Sequence, residues 1–127
     1  MPHHLSKEVV SSLILQVKDV LTDNPPPAGA ESHLVTLFHG QGVTVSLAQI
    51  VGTLKPHIHA FHEETIYVLG GKGQALVGGQ WEELTTGTVL HFQGRTVHSI
   101  RAEEGAPLVF LCHFVPEMKE LDRVFVE

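Results

Sequence analysis

His57 and His59 stand two residues apart near the end of a run, 55–59, that reads as a β-strand. Side chains two apart on a strand leave the same face, so both imidazoles can turn toward one point, which is what chelation requires. Glu64 begins the next run and shares its face with Ile66 and Val68, whereas Glu63 falls with Thr65, Tyr67 and Leu69 on the other, so parity selects Glu64 as the carboxylate that joins the histidines. His98 opens a later run just past the turn Gly94–Arg95–Thr96 and is placed to bring a third imidazole to the same point. Three neutral imidazoles and one carboxylate make a mixed nitrogen and oxygen site suited to one divalent transition metal: Fe, Mn, Ni, Co, Cu or Zn. In octahedral geometry two positions stay open. A single histidine on a strand is more often hydrogen-bonded than ligating, and His33, His39 and His62 take that reading. Four residues at matched spacing differ, because burying them around one point is costly without a cation.

The elements that must position these residues are short. From Ser32 onward, runs rich in Val, Leu, Ile, Phe and Thr are broken by glycine-containing turns every eight to twelve residues. That spacing points to an antiparallel sandwich or barrel, with strands near 33–39, 43–51, 55–59, 64–70, 73–78, 80–84, 88–93, 97–103 and 107–115. The unbroken apolar stretch Leu108–Cys112 predicts a strand covered on both faces. Upstream, Val10, Ile14, Val17 and Leu21 share a helical stripe while 13–17 would also serve as a strand; a strand followed by one helical turn at 18–21 is the favoured reading. Asn24–Pro25–Pro26–Pro27 then acts as a stiff connector. Residues 1–31 thus form an extension and connector, 32–116 the barrel, and 117–127 a charged tail with a small apolar patch at Val124–Val126, lying as a surface flap or as an arm on a partner subunit.

A length of 127 residues fits one domain with a single core. A net charge of −6 lacks the footprint of a phosphate-binding module and sets nucleic acid aside. No apolar run reaches the roughly 18 residues of a spanning helix, and the N-terminus lacks the layout of a signal peptide, so a cytoplasmic protein without membrane contact is expected. Gly71–Lys72–Gly73 lacks the third glycine of a dinucleotide fingerprint, no second histidine follows His62–Glu63 at zinc-protease spacing, and no nucleophile elbow occurs. The lone cysteine, Cys112, lies in an apolar run and reads as a small core residue.

Two segments, Gly52 through His57, His59 and Glu64 to Gly71, and Gly87 through Gln93, Gly94 and Arg95 to His98, resemble the two cupin motifs, G-x5-H-x-H-x3,4-E-x6-G and G-x5-P-x-G-x2-H-x3-N. Counting six residues on from Glu64 reaches Gly71, which independently picks Glu64 over Glu63. Gly52 is one residue too close to His57, Gln93 and Arg95 replace the proline and second glycine, and Ala102 replaces the asparagine; all four ligand positions survive. The resemblance covers about residues 33–115. It implies an all-β fold, an antiparallel jelly-roll β-barrel (double-stranded β-helix), with His57, His59, Glu64 and His98 as metal ligands.

It also implies a pocket for a small oxygenated molecule and metal-dependent chemistry, a dioxygenase foremost, or a decarboxylase, lyase or isomerase. The competing expectation is a small-molecule-binding or sensor cupin without turnover. His91 and His113 are acid–base candidates if their strand faces line the barrel, and Arg95 and Gln93 are substrate-binding candidates beside its mouth. Tyr67 and Trp81 read as packing residues. Small barrels of this family commonly pair through an outer sheet face, so a homodimer is expected.

Overall fold

A computed structural model of the chain describes residues 13–126. One short helix, α1 (Val17–Asp23), precedes ten strands: β1 (Ser32–Gly40), β2 (Val43–Ile50), β3 (Thr53–His59), β4 (Glu63–Gly70), β5 (Gly73–Val77), β6 (Gln80–Leu84), β7 (Val89–Phe92), β8 (His98–Ala102), β9 (Leu108–Val115) and β10 (Arg123–Phe125). Two five-stranded antiparallel sheets result, ordered β1-β2-β9-β4-β7 and β10-β3-β8-β5-β6. The fold is an antiparallel jelly roll, and the nine strands expected from Ser32 onward are all present. No helix among the described residues is long and apolar enough to cross a membrane.

Period-two burial builds the core. Ile66, Val68, Phe110, Cys112 and Phe114 point inward from the first sheet and meet Ala75, Leu84 and Ile100. Each large apolar side chain buried this way contributes about 1.5–3 kcal/mol against leaving it in water. The alternate residues of β9, Val109 and Leu111, are half-buried under a second cluster formed by Val35, Leu37 and Leu47 with Val17, Val20 and Leu21 of α1. This outer cover explains why 108–112 is apolar without interruption.

Two expectations are corrected. Leu13–Gln16 adopts no regular structure, and the helix is longer than the single turn expected at 18–21. Val17, Val20 and Leu21 recur at helical spacing and dock together on β1 and β2, whereas Ile14 is left 86% exposed and 13–16 has no strand to pair with. Val10 lies outside the described residues. The tail is likewise no loose surface flap: within its own chain β10 pairs with β3 in the register Arg123↔His59, Val124↔Ile58 and Phe125↔His57, making it the edge strand of the second sheet.

Gly71 closes the β4–β5 connection at φ +81°, and a Cβ there would collide with the backbone of Pro107 and Leu108. Both the left-handed backbone and the close approach demand glycine. Gly71→Ala is therefore expected to destabilise the protein by roughly 2 kcal/mol or more, measured as a lower urea midpoint at unchanged slope.

Candidate metal centre

The second sheet delivers three imidazoles and the first delivers one carboxylate. His57 and His98 face each other in the β3–β8 register, His59 lies two residues further along β3, and Glu64 enters from β4 across the core. All four are buried, at 1%, 2%, 6% and 5% exposure in that order. The ligand atoms of His57, His59 and His98 lie within 4.8 Å of one another. Glu64 Oε1 is 3.3 Å from both His59 Nε2 and His98 Nε2.

The outer nitrogens fix which way these rings present themselves. His57 Nδ1 donates to the Lys55 carbonyl at 2.7 Å, His98 Nδ1 to the Thr96 carbonyl at 3.0 Å, and His59 Nδ1 to Asp122 Oδ1 at 2.9 Å. Carbonyl and carboxylate oxygens only accept, so the proton of each neutral ring sits on Nδ1 and the Nε2 lone pairs converge inward. The Lys55 carbonyl is free for this because the β3–β8 ladder breaks register between Leu54 and His57, across Pro56, which has no N–H to give the ladder. Phe92 stacks on His98 at 4.0 Å and 9°, and Phe114 meets His59 edge-on at 5.3 Å.

Two of these lone pairs, those of His59 and His98, thus face a carboxylate oxygen, Glu64 Oε1, that is fully buried and among the described residues has no hydrogen-bond partner, with His57 completing the histidine cluster beside them. Buried acceptors facing only acceptors are costly, and a cation resolves all four at once. Two or more neutral imidazoles with oriented Nδ1–H groups are the donor set a borderline transition metal prefers. The residues fit a metal. Protons compete for the same point: burial alone would push Glu64 up, but His59 and His98 hold its carboxyl down at about 2. Burial works against a charge on His59, yet Glu64 and Asp122 outweigh it and raise its pKa. His57 is lowered to about 4, chiefly by burial, opposed by its bond to Lys55 and reinforced by His98 and His59.

Residues 46–114, more than half of the chain, match the family model of the cupin domain. The chain belongs to the cupin family. Its fold is shared by an uncharacterized protein with a double-stranded β-helix domain from Klebsiella pneumoniae, at 18% identity over 92% of this cupin and 99% of that chain with a TM-score of 0.74. KdgF from Halomonas sp. aligns at 21% identity over 73% and 87% of the two chains with a TM-score of 0.65. The polyketide cyclase RemF from Streptomyces resistomycificus aligns at 21% identity over 82% and 78% with a TM-score of 0.66. No curated protein matches the sequence.

A narrow cavity of about 40 Å³ adjoins the cluster in this cupin, walled by Leu34, Leu54, Ile100, Phe110 and Phe114, with Cys112 beside Glu64. Burial, with Glu64 adding, pushes the Cys112 thiol up, so it stays protonated and serves as the core residue expected.

The acid–base and substrate candidates do not reach this cavity. His91 lies on the outer face of β7, where it bonds Thr65 Oγ1 at 2.8 Å and Glu63 Oε1 at 3.1 Å, and His113 is exposed on the outer face of β9. Parity decides both: Phe92, Cys112 and Phe114 take the inward positions beside them. Gln93 and Arg95 are exposed in the turn after β7. Arg95 adopts φ 67°, and its backbone N–H, not its side chain, serves the site by donating to the His59 carbonyl at 2.9 Å. His39 pairs with Glu117, and His62 donates to Asp122 Oδ2 at 2.7 Å, both hydrogen-bonded as expected; His33 lines the cavity. Trp81 packs under Arg101, whose guanidinium lies 3.7 Å from the ring centre, while Tyr67 is 43% exposed on β4.

Asp122, which holds a ring of the histidine cluster, is a residue that motif spacing overlooks. Asp122 ties together His59 Nδ1, His62 Nδ1 and the Phe61 N–H, so the orientation of His59 depends on one side chain, whereas His57 and His98 depend on backbone carbonyls. Asp122→Asn is expected to weaken metal affinity by about ten- to a hundred-fold with the fold intact, read by competition with a coloured chelator. The nearby sequence signal is the apolar run Val124–Phe125–Val126, too short among charged neighbours to mark a strand without its pairing to β3.

Proposed function

We propose that this cupin is a divalent transition-metal enzyme acting on a small oxygenated organic molecule, with His57, His59, Glu64 and His98 as ligands and oxygen-dependent oxidation, a dioxygenase reaction, as the foremost chemistry. The observation that carries the reading is the buried, unpartnered Glu64 Oε1 facing oriented imidazole lone pairs. A bound metal of this class supplies a Lewis acid for an enolate or carboxylate and, when redox-active, an electron source for oxygen. The chain's own residues orient the imidazoles through Lys55, Thr96 and Asp122, exclude bulk water with Phe92, Phe110 and Phe114, and shape the small cavity. RemF, a polyketide cyclase by name, is an enzyme built on this fold. The second reading, a binding or sensor cupin, is favoured by the placement of His91 and His113 outside the barrel, which leaves the cavity few groups able to move a proton.

Elemental analysis of untagged protein tests the reading, with about one metal per chain expected; oxygen uptake over a panel of enols, phenols and hydroxy acids then separates turnover from binding. A protein that takes up none of the six metals even after reconstitution at pH 8 overturns the metal reading. Homodimer formation through an outer face belongs to the same proposal, supported by exposed Tyr67, Val89 and Val115 on adjacent strands of the first sheet. A monomer mass independent of concentration overturns it.

A further inference from the structure

Resting on the metal reading above, we propose that Arg123 is the anchor for a substrate carboxylate, so that the cavity takes small monocarboxylates carrying a second oxygen that faces the three histidines. Residues paired across antiparallel strands share a face, and the pairing Arg123↔His59 sends the arginine inward beside a ligand position. Arg123 is half-buried and lines both the cavity of the histidine cluster and the mouth that opens from it past Leu54 and Ser32. Its guanidinium is steered by Phe125, whose ring centre lies 5.2 Å away.

What singles the residue out is that its charge is unclaimed. Among the described residues no carboxylate pairs with Arg123. Asp122, its neighbour, commits its oxygens to His59, His62 and the Phe61 N–H. Glu64 faces the imidazoles, and Glu31 at the mouth accepts from the Thr53 N–H. The contrast is Arg101, which is settled by a bond to Gln74 Oε1 at 2.9 Å and by Trp81. With a divalent ion in place, Glu64 and Asp122 would balance the ion and Lys55 at the mouth offsets Glu31, so Arg123 would leave one positive charge over for a monoanion to neutralise. The guanidinium fork matches the planar carboxylate, and the narrow apolar walls favour that head over a bulkier anion.

The test loads wild type, Arg123→Gln and Arg123→Lys with cobalt(II) and titrates glycolate, lactate and 3-hydroxybutyrate, each against its neutral amide, following the visible cobalt spectrum and calorimetry. In wild type at least one acid is expected to bind about tenfold tighter than its amide; Arg123→Gln loses that factor while cobalt content and amide binding stay within twofold, and Arg123→Lys keeps part of it. Acids and amides binding wild type equally, or Arg123→Gln keeping the preference, overturns the anchor while leaving the metal site standing. Wild type that takes up no cobalt overturns the metal reading and the anchor with it. If Arg123→Gln does not fold, Arg123→Lys carries the comparison: a reduced acid preference at unchanged cobalt content is expected, and a full wild-type preference overturns the anchor.

Discussion

A His98→Ala protein is expected to lose metal affinity by about a hundredfold or more and to leave purification nearly metal-free. A complete set of four protein ligands is worth about 10–16 kcal/mol in structural zinc sites, so one ligand carries roughly 3 kcal/mol, and two orders of magnitude follow. His98 is poorly replaceable because its ring is held on both sides, by the Thr96 carbonyl at Nδ1 and by the face of Phe92. Alanine leaves a hole beneath that ring and costs about 2 kcal/mol of stability, yet the β8 backbone keeps its ladders to β3 and β5 and the barrel stays folded. His91→Ala, on the outer face, is the control and keeps wild-type metal. Wild-type metal content in a folded His98→Ala protein would falsify the site.

Glu64→Gln separates the two jobs of that carboxylate and gives opposite signs. Metal affinity falls by about ten- to a hundredfold, because a neutral amide replaces an anionic ligand. The metal-free protein, by contrast, gains about 1–3 kcal/mol at pH 9, since the amide N–H can donate to His59 or His98 Nε2 where Glu64 Oε1 faced only lone pairs. The gain shrinks as pH falls. His59 has a folded pKa raised above its ordinary 6.5, so in wild type its proton stabilises the metal-free fold fully below 6.5 and that contribution disappears as pH rises through the raised value. Glutamine removes most of this linkage. Metal affinity of wild type consequently climbs with pH in the range just above 6.5 as the His59 proton is displaced, and climbs less steeply in Glu64→Gln. Urea unfolding of chelator-treated proteins at pH 6 and pH 9, with chelator competition at both, reads all of these; a metal-free Glu64→Gln protein less stable than wild type at pH 9 sinks the argument.

Much of this was legible in the sequence because β-structure has the simplest arithmetic. Period two placed Glu64 inward and Glu63 outward, and the burial of β4 alternates accordingly. Glycine turns marked nine strands to within a few residues. Parity also contained the answer for His91 and His113: Phe92, Cys112 and Phe114 are the inward residues, so their neighbours face solvent. What parity alone lacked was which face is inside, a fact set by the opposing sheet. The tail was harder. Three residues of strand carry too little hydrophobic pattern to compete with their charged surroundings, and β10 exists because β3 offers it an unpaired edge. Tertiary pairing decided that element, and Asp122 and Arg123 came with it. At the other end, Leu13–Val17 had strand-like composition but no edge to join, while α1 found a docking surface for Val17, Val20 and Leu21.

Glu64 belongs to one sheet and the three histidines to the other, and this division has a mechanical consequence. An ion held by Glu64 and His98 together would rivet the two sheets and close a loop of about 35 residues, a restraint worth about 4 kcal/mol when scaled as a covalent cross-link of that span. The sheets would then separate only after the rivet opens, so metal occupancy would govern how long a folded molecule survives, and amide protons of β3 and β8 are expected to exchange in step with metal release.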